Sequence, residues 1–359
     1  MKILVLSSYI GPRNTVRPEA ELFIAISKLG HEVTIMTQAE ASYAKTCEQA
    51  GIKIIDNYPS KKICLRTIKL VHNELISGDY DICYAFDSKT IPNAAFGSIG
   101  TRAKVVSYRG TTGGLYRHDP SAYLTHLHPK ISAIVCNSNA VQEDVQRRVW
   151  SKDVRVERIY KGHKVEWYQT EAALRSEFNL KESDIVAICA CNVRPSKGIS
   201  VLLKALNTIQ NDNFHMLLVG NGYEVHKDEI ESSPMRERIH LLGHRTDVPK
   251  LMKMADFQIQ PSISGEGLPR AVIEAMASGT PSIVTTTGGG PELVEDGISG
   301  FIAQAGNTNE LKQAIRSMLS DKSSIVQMGK GARTRIDENF NIQQSCEQHL
   351  DLFDFLIQR

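Results

Sequence analysis

The sequence predicts two doubly wound α/β domains, and two observations lead to this prediction. Short runs of aliphatic and β-branched residues alternate with helical patterns, and glycine or proline separates many of them. This alternation forms two series, one in residues 1–164 and one from residue 165 onward. A chain of 359 residues is also long for a single hydrophobic core. We therefore expect two domains, each with a mostly parallel sheet.

The first series begins with a strand, which is followed by an amphipathic helix that ends near Gly30. Alternation of short buried strands with helices is typical of a doubly wound sheet. The predicted strands are Lys2–Ser8, His31–Thr37, Ile52–Asp56, Ile82–Phe86, Lys104–Tyr108 and Ala133–Asn137, and the predicted helices are Pro18–Leu29 and Lys61–Ile76.

The second series repeats this pattern in residues 165–341, and residues 342–359 form a final amphipathic helix. A glycine-containing loop follows most of its strands, as expected where strands end at one edge of a parallel sheet. The predicted strands are Ile185–Cys191, His215–Val219, Ile239–Leu242, residues 256–261 and the run from Pro281, and the helices include Ile199–Ile209 and Val248–Met254.

Composition excludes several classes of protein. No apolar run reaches the ~18–20 residues of a membrane span, and the apolar N-terminal run lacks a signal-peptide cleavage pattern. The seven cysteines are an odd number without metal-ligand spacing, which fits a reducing cytoplasm. Cys189 and Cys191 are expected to face opposite sides of their strand. We expect a cytoplasmic protein without a metal or other cofactor.

One motif dominates the second series. Glu266 and Glu274 stand eight positions apart, in a loop that runs into a helix. Pro269 suits the first turn of that helix and Gly279 suits its C-terminal end. The helix N-terminus is then free to face an anion at the carboxyl edge of the sheet. Carboxylates beside an anion are better explained as acceptors for the hydroxyl groups of a sugar and a ribose.

This segment resembles the E-x7-E signature of the retaining, nucleotide-sugar-dependent glycosyltransferases of family 4 (group 1). The similarity continues through Glu274-Ala-Met-Ala-Ser-Gly-Thr-Pro and Gly289-Gly290-Pro-Glu292 to Asp296-Gly-Ile-Ser-Gly300-Phe. The resemblance implies the GT-B fold, in which two Rossmann-like domains face a central cleft. It also implies that the C-terminal helix crosses back onto the N-terminal domain.

The resemblance assigns donor-binding roles in the second domain. Lys197 matches the family lysine that contacts the diphosphate, whereas Asn192 stands where the family has an arginine. We expect Arg194 to substitute, because a guanidinium can reach a phosphate from a nearby position. By resemblance, Glu266 contacts the donor sugar and Glu274 holds the ribose hydroxyls.

Backbone groups complete the expected donor site. The N–H groups of Gly267 and Leu268, near the helix N-terminus, are expected to hold sugar or phosphate oxygens. Gly220 and Gly222 resemble the family's glycine turn, which lets the backbone approach the nucleotide. His244 lies where the family brackets the base, and its sequence context is equally consistent with an ordinary surface position.

The first domain departs further from the family. The loop after its first strand has one glycine, Gly11, where relatives usually have a pair. Arg109 stands where many relatives have a histidine near the donor sugar or acceptor. An arginine cannot act as a general base at neutral pH, so we expect it to bind an anionic group.

Charge is distributed unevenly along the chain. Residues 1–164 carry 23 Lys and Arg against 15 Asp and Glu, so the rest has net charge −6, because the whole chain has +2. The segment Lys61–Ile76 combines an apolar stripe with four cations. This pattern suits either a helix packed on the core with a solvated basic face or a helix that contacts an anionic membrane.

Together these features predict a metal-independent retaining glycosyltransferase. It would use a nucleoside-diphosphate sugar and a glycan or lipid-linked acceptor, with no nucleic-acid partner, in cell-surface polysaccharide synthesis. Two alternatives remain: a non-hydrolysing sugar-nucleotide epimerase of the same two-domain fold, and a non-catalytic subunit that binds nucleotide sugars. Base, sugar, acceptor and linkage do not follow from the sequence.

Overall fold

The computed structural model describes all 359 residues of the chain. Contacts divide the chain into unit 1, residues 1–163 and 340–359, and unit 2, residues 164–339. The limits inferred from the sequence lie at 164/165 and 341/342. Each unit is an α/β body built on one parallel sheet. None of the helices combines the length and the apolar character that crossing a bilayer requires.

Unit 1 is a seven-stranded parallel sheet with helices on both faces. Its strands are β1 (Lys2–Leu6), β2 (Glu32–Thr37), β3 (Lys53–Asp56), β4 (Ile82–Ala85), β5 (Lys104–Arg109), β6 (Ile131–Cys136) and β7 (Arg155–Arg158). Its helices are α1 (Arg13–Lys28), α2 (Ala44–Gln49), α3 (Leu65–Gly78), α4 (Thr90–Gly97), α5 (Asn139–Gln146) and α13 (Ile342–Ile357).

The strand order in unit 1 is β3-β2-β1-β4-β5-β6-β7, and all adjacent strands pair in parallel. The order reverses between β1 and β4, and such a switch point leaves a crevice at the carboxyl edge of a sheet. In β1, residues Ile3–Leu6 are completely buried, because a central parallel strand is covered on both faces. Helices α1 and α13 pack together over one face of the sheet.

Three features of unit 1 differ from the elements predicted from the sequence. Helix α1 begins five residues earlier than expected and contains Pro18 in its interior. Strand β7 was absent from the prediction, because its Arg-Val-Glu-Arg sequence has a single apolar residue. Helix α3 begins at Leu65 and not at Lys61. Asn93 explains this last difference, because its side chain bonds the carbonyls of Lys61 and Lys62 and the N–H of Cys64, which holds this segment in a turn.

Unit 2 is a six-stranded parallel sheet. Its strands are β8 (Ile185–Ala190), β9 (Phe214–Val219), β10 (Ile239–Gly243), β11 (Phe257–Gln260), β12 (Ser282–Thr285) and β13 (Gly300–Ala303). Its helices are α6 (Ile199–Leu206), α7 (Lys227–Glu231), α8 (Val248–Met254), α9 (Arg270–Ala277), α10 (Gly290–Leu293), α11 (Thr308–Ser320) and α12 (Lys322–Asn339). The order is β10-β9-β8-β11-β12-β13, so the switch point lies between β8 and β11.

Candidate functional site

The loops that follow β8 and β11 meet at the switch point of unit 2. The two strands are neighbours in the sheet, with Phe257 opposite Ala187 and Gln258 opposite Ile188. Because parallel strands end at the same edge, residues 191–198 and 261–269 lie side by side. This is the position at which open α/β sheets bind ligands, and both loops carry residues that the sequence singled out.

Lys197 and Glu266 form an ion pair across these two loops. The Lys197 Nζ lies 2.5 Å from the Glu266 Oε1, and both side chains are largely buried. The same Oε1 accepts hydrogen bonds from Ser262 Oγ at 2.5 Å and Gln260 Nε2 at 3.2 Å. The sequence predicted that both ends of this pair bind the donor, and the structure brings them into direct contact.

The backbone fixes the Lys197 end of the pair. Lys197 ends a short 3₁₀ turn, and Gly198 follows it with φ of +67°. A Cβ at Gly198 would collide with the carbonyl oxygen of Pro261 in the loop after β11. Ile263 N–H and Ser196 C=O are also joined across the loops at 2.8 Å. The close contact of the two loops therefore requires glycine at position 198.

The loop after β12 supports the Glu266 end. Gly288 has φ of +60°, and a Cβ there would collide with the backbone carbonyl and the Cβ of Glu266. The N–H of Gly289 donates to the carbonyl of Gly267 at 2.6 Å. Thr285 Oγ1 donates to the carbonyl of Ser262 at 2.5 Å. The loops after β8, β11 and β12, which are neighbouring strands of the sheet, thus fix the position of the Glu266 carboxylate.

Gln260, Ser262, Thr285 and Gly288 were not among the predicted site residues. A signal was nevertheless present in the sequence for one of them, Gln260. Gln258 and Gln260 alternate in β11, a strand whose four residues are all buried. Buried amides in a central parallel strand need partners, so glutamines there indicate a polar arrangement at the strand end.

Glu274 lies in the first turns of α9 and is 7% exposed. Burial raises the pKa of its carboxyl, and the nearby guanidinium of Arg270 opposes this effect. The Arg270 Nε is 3.3 Å from the Glu274 Oε1. A buried carboxylate with one exposed cation as partner is a strong acceptor for hydroxyl groups.

The N-terminus of α9 offers hydrogen-bond donors at the same edge. Pro269 is the N-cap residue and provides no side-chain cap. The N–H groups of Gly267 and Leu268 donate no hydrogen bond within the chain. Free amides at a helix N-terminus favour the binding of an anion or a sugar oxygen.

Asn192 fixes the glycine turn after β9. Its Oδ1 accepts a hydrogen bond from Asn221 N–H at 3.0 Å, and Val193 N–H donates to Asn221 C=O at 2.8 Å. Gly220 has φ of +131° and lies so close to the carbonyl of Cys191 that a Cβ would collide with it. Gly222 also has a positive φ, of +94°. Asn192 therefore joins the loops after β8 and β9.

Two predicted residues of unit 2 point toward solvent. Arg194 is exposed beside the Lys197 turn, and His244 is exposed directly after β10. Both lie at the carboxyl edge of the sheet, as the sequence predicted from their positions after strands. Their proposed contacts with phosphate and base remain predictions.

The remaining predicted residues belong to unit 1. Arg109 is the last residue of β5, and its guanidinium donates to the carbonyl of Gly113. Burial lowers the pKa of Arg109, while the carboxylate of Asp144 opposes this effect. Its Nε is buried without a partner. Gly11 is exposed in the loop between β1 and α1, with φ of +141°.

The prediction for the cysteine pair was wrong. Cys189 and Cys191 lie two residues apart, and residues with this spacing share one face of a strand. Their sulfur atoms are accordingly 4.0 Å apart, and the hydroxyl of Tyr223 lies 3.6 Å from the Cys191 sulfur. All seven cysteines are free thiols.

Family models match both units. The model for group 1 glycosyl transferases matches residues 170–335, and the model for Glycosyltransferase Family 4 matches residues 20–167. Between them they account for residues 20–335 except residues 168 and 169. Two Rossmann-like units with these matches define a glycosyltransferase. The chain belongs to the group 1, family 4 glycosyltransferases.

Individual proteins are similar to this chain as well. N-acetyl-alpha-D-glucosaminyl L-malate synthase of Bacillus anthracis is 26% identical over 262 residues, which is 71% of this chain and 68% of that protein. A glycosyltransferase structure from Rickettsia africae superposes with a TM-score of 0.81 at 19% identity and covers 100% of this chain and 99% of its own. HepE of Anabaena in complex with UDP superposes with a TM-score of 0.77 at 23% identity, covering 99% of this chain and 100% of its own. The predicted GT-B fold is confirmed.

Proposed function

We propose that this glycosyltransferase moves a sugar from a nucleoside-diphosphate sugar to a hydroxyl group of a glycan or lipid-linked acceptor, with retention of anomeric configuration. The observation that carries the proposal is the Lys197–Glu266 pair at the switch point of unit 2. It joins one cation and one carboxylate, which are the groups that a sugar diphosphate requires. HepE, which shares the fold, binds UDP in its crystal structure.

When the donor binds, Lys197 and Glu266 would contact different parts of it. The diphosphate oxygens would accept hydrogen bonds from the Lys197 ammonium and from the free N–H groups of Gly267 and Leu268. The Glu266 carboxylate would then accept hydroxyl groups of the donor sugar, while Gln260 and Ser262 hold it in place. Glu274, which is buried in α9, would accept the ribose hydroxyls. Arg194 and His244 would contact the phosphate and the base.

The reaction follows from this arrangement. As the bond between the sugar C1 and the phosphate oxygen breaks, negative charge develops on the diphosphate, where Lys197 and the α9 amides stabilise it. The acceptor hydroxyl attacks C1 from the same face, and its proton passes to the departing phosphate oxygen. The products are the glycoside and the nucleoside diphosphate. The proposed route has no covalent glycosyl-enzyme, which retaining hydrolases form with two carboxyl groups ~5–5.5 Å apart.

We propose that the reaction needs no divalent metal. The positive charge that a metal would supply to the leaving diphosphate comes from Lys197 and from the N-terminus of α9.

Unit 1 would bind the acceptor. Arg109 offers a buried Nε–H without a partner at the carboxyl end of β5, which suits an anionic group or a carbonyl of the acceptor. The loop with Gly11 follows β1 at the same edge of the sheet. The acceptor would be a growing cell-surface glycan or its lipid carrier.

The basic surface around α3, formed by Lys61, Lys62, Ile63, Leu65 and Arg66, would contact an anionic membrane at its cytoplasmic side. Leu65 is 79% exposed, and the three cations are also exposed. Exposed apolar side chains among cations suit the interface of an anionic bilayer. Phosphatidylglycerol vesicles should sediment the protein at low salt. No sedimentation at low salt would contradict this contact.

Donor turnover tests the proposed function against its two alternatives. A thermal-shift screen with UDP-glucose, UDP-galactose, UDP-N-acetylglucosamine and GDP-mannose identifies the donor, because a bound ligand stabilises the fold. A transferase then releases nucleoside diphosphate, and Glu266→Gln reduces this release. An epimerase would convert the donor without releasing nucleoside diphosphate, and a non-catalytic subunit would bind it unchanged.

A further inference from the structure

A cavity of unit 1 lies at the edge of the sheet opposite to the proposed acceptor residues. It has a volume of about 670 Å³, and Lys104, Ile131 and Ser132 are among the residues that line it. These residues begin β5 and β6. Arg109 ends the strand that Lys104 begins, and five residues of strand span about 16 Å at ~3.3 Å each. The cavity is therefore separate from the carboxyl edge.

Trp150 forms an exposed aromatic wall of this cavity. It is 67% exposed, although tryptophan is usually among the more buried residues. The guanidinium carbon of Arg117 lies 4.9 Å from the centroid of the Trp150 ring. Arg117 itself is anchored, because it donates to the carbonyls of Arg147 and Arg148 at 2.9 Å. The ring is thus held in place by a fixed cation on one face.

The polar residues that line the cavity combine hydrogen-bond donors with acceptors, and apolar residues such as Leu127 and Val154 lie beside them. Lys104 and Arg359 bring positive charge, Asp153 brings negative charge, and Ser132 and Ser151 bring hydroxyl groups. A sugar ring matches this mixture, because each hydroxyl both donates and accepts and one face of the ring is apolar. A nucleotide phosphate would meet Asp153, and an acyl chain would leave the charged groups unsatisfied.

We propose that this cavity is a second carbohydrate-binding site. It would hold about two to three sugar rings, since ligand cavities of ~300–1,000 Å³ accommodate molecules of that size. The inference rests on the proposed function, because the bound saccharide would be a part of the acceptor glycan distant from the reacting hydroxyl. The site would raise the affinity for long acceptors and leave the reaction of short acceptors unchanged.

Tryptophan fluorescence tests the site directly. The chain has two tryptophans, so Trp167→Phe leaves Trp150 as the single reporter. This variant is titrated with trisaccharides of glucose, mannose, galactose and N-acetylglucosamine. The expected result is a saturable change in Trp150 emission with at least one of them. No change with any of the four, or a change produced only by phosphatidylglycerol vesicles, would overturn the proposal.

Two variants localise the binding to the cavity. Trp150→Ala and Ser151→Phe, measured by calorimetry, should each weaken trisaccharide binding by about tenfold, the first by removing the aromatic wall and the second by filling space. Ser151 is exposed, so its substitution is compatible with folding, which circular dichroism checks. Unchanged affinity in both folded variants would overturn the proposal.

Donor binding on the same samples separates this inference from the proposed function. If nucleotide sugars shift the melting temperature of Trp150→Ala as they do that of the parent, the donor site is intact. Trisaccharide binding without any donor binding would refute the proposed function and retain the cavity site. Donor turnover without trisaccharide binding would refute the cavity site alone.

Discussion

The carboxyl edges of the two sheets differ in how completely their buried polar side chains are paired. In unit 2, one oxygen of Glu266 accepts hydrogen bonds from Lys197, Gln260 and Ser262. In unit 1, polar atoms at or beside the same edge are buried without a partner in the chain. These atoms are Tyr9 Oη, Glu19 Oε1, Asp87 Oδ2, Arg109 Nε and Asn137 Oδ1.

This difference has a physical consequence. A buried polar atom without a partner costs about 1–3 kcal/mol, so it persists where a ligand or ordered water completes it. Unit 2 presents an arrangement that is assembled before the ligand arrives. In unit 1 the hydrogen bonds are incomplete. Acceptors outnumber donors among its unpaired atoms, which suits a ligand rich in hydroxyl groups.

The largest expected effect comes from removing the cation of unit 2. Lys197→Ala should lower turnover about 100- to 1,000-fold, because the leaving diphosphate loses its charged partner. Lys204→Ala is a matched control, since Lys204 is an exposed lysine on the helix that follows the same loop. Steady-state release of nucleoside diphosphate measures both variants. Equal rates in the two would remove Lys197 from the mechanism.

Lowering the pH should destabilise the protein through two buried histidines of unit 1. Burial lowers the pKa of His349 to about 4 and that of His126 to about 3. Both values lie below the ~6.5 of an unfolded chain, so the unfolded state binds more protons as the pH falls below ~6.5. The contribution of these neutral histidines to the free energy of unfolding is therefore fully present above pH ~6.5, and it is lost as the pH falls toward ~4. His349 accounts for about 3 kcal/mol of it.

Urea unfolding at several pH values measures this contribution. His349→Gln should flatten the pH dependence between pH ~6.5 and ~4, whereas the exposed His118→Gln should leave it unchanged. A slope that His349→Gln does not alter would show that His349 titrates equally in the folded and unfolded chains.

A backbone change tests whether activity depends on the position in which the loops of unit 2 hold Glu266. Gly288→Ala should displace Glu266, because the new Cβ collides with the backbone of that residue. Turnover should fall about 10- to 100-fold, as small misplacements of catalytic groups often cause. Gly306→Ala is the control, since Gly306 has a similarly positive φ with open space around its Cβ position. Equal losses in both variants would indicate backbone strain and not displacement of Glu266.

The smallest expected effect is that of metal removal. EDTA treatment should change turnover by less than about twofold, because Lys197 and the α9 amides supply the charge stabilisation. Assays with and without added Mg²⁺ after EDTA check this expectation. Loss of activity that Mg²⁺ restores would show that these protein groups are not sufficient.

The sequence predicted the fold and the place of three site residues better than the contacts that support them, and the roles of these residues in donor binding stay predictions. Lys197, Glu266 and Glu274 lie on the loops and the helix that their motif indicated. Their neighbour Thr285 could not be chosen, because it contacts Ser262 from the end of a different strand, 23 residues away in sequence.

Two errors have identifiable causes. The start of α3 depends on Asn93, a buried side chain 28 residues beyond Leu65 that no local pattern of the helix contains. The cysteine pair was placed on opposite faces of the strand, although residues two apart in a strand lie on the same face. In unit 1, the sequence matches the family pattern only loosely. Its unpaired polar atoms could be identified only from the structure, because they lie at or beside the ends of different strands.

Nucleotide-sugar binding to two variants tests the central claim most directly. Calorimetry with the nucleotide sugar that gives the largest thermal shift compares the parent with Lys197→Ala in unit 2 and Arg109→Ala in unit 1. The account predicts that Lys197→Ala weakens binding by about tenfold or more and that Arg109→Ala changes it by less than about twofold. Donor binding that survives Lys197→Ala and is lost with Arg109→Ala would contradict the assignment of the donor to unit 2.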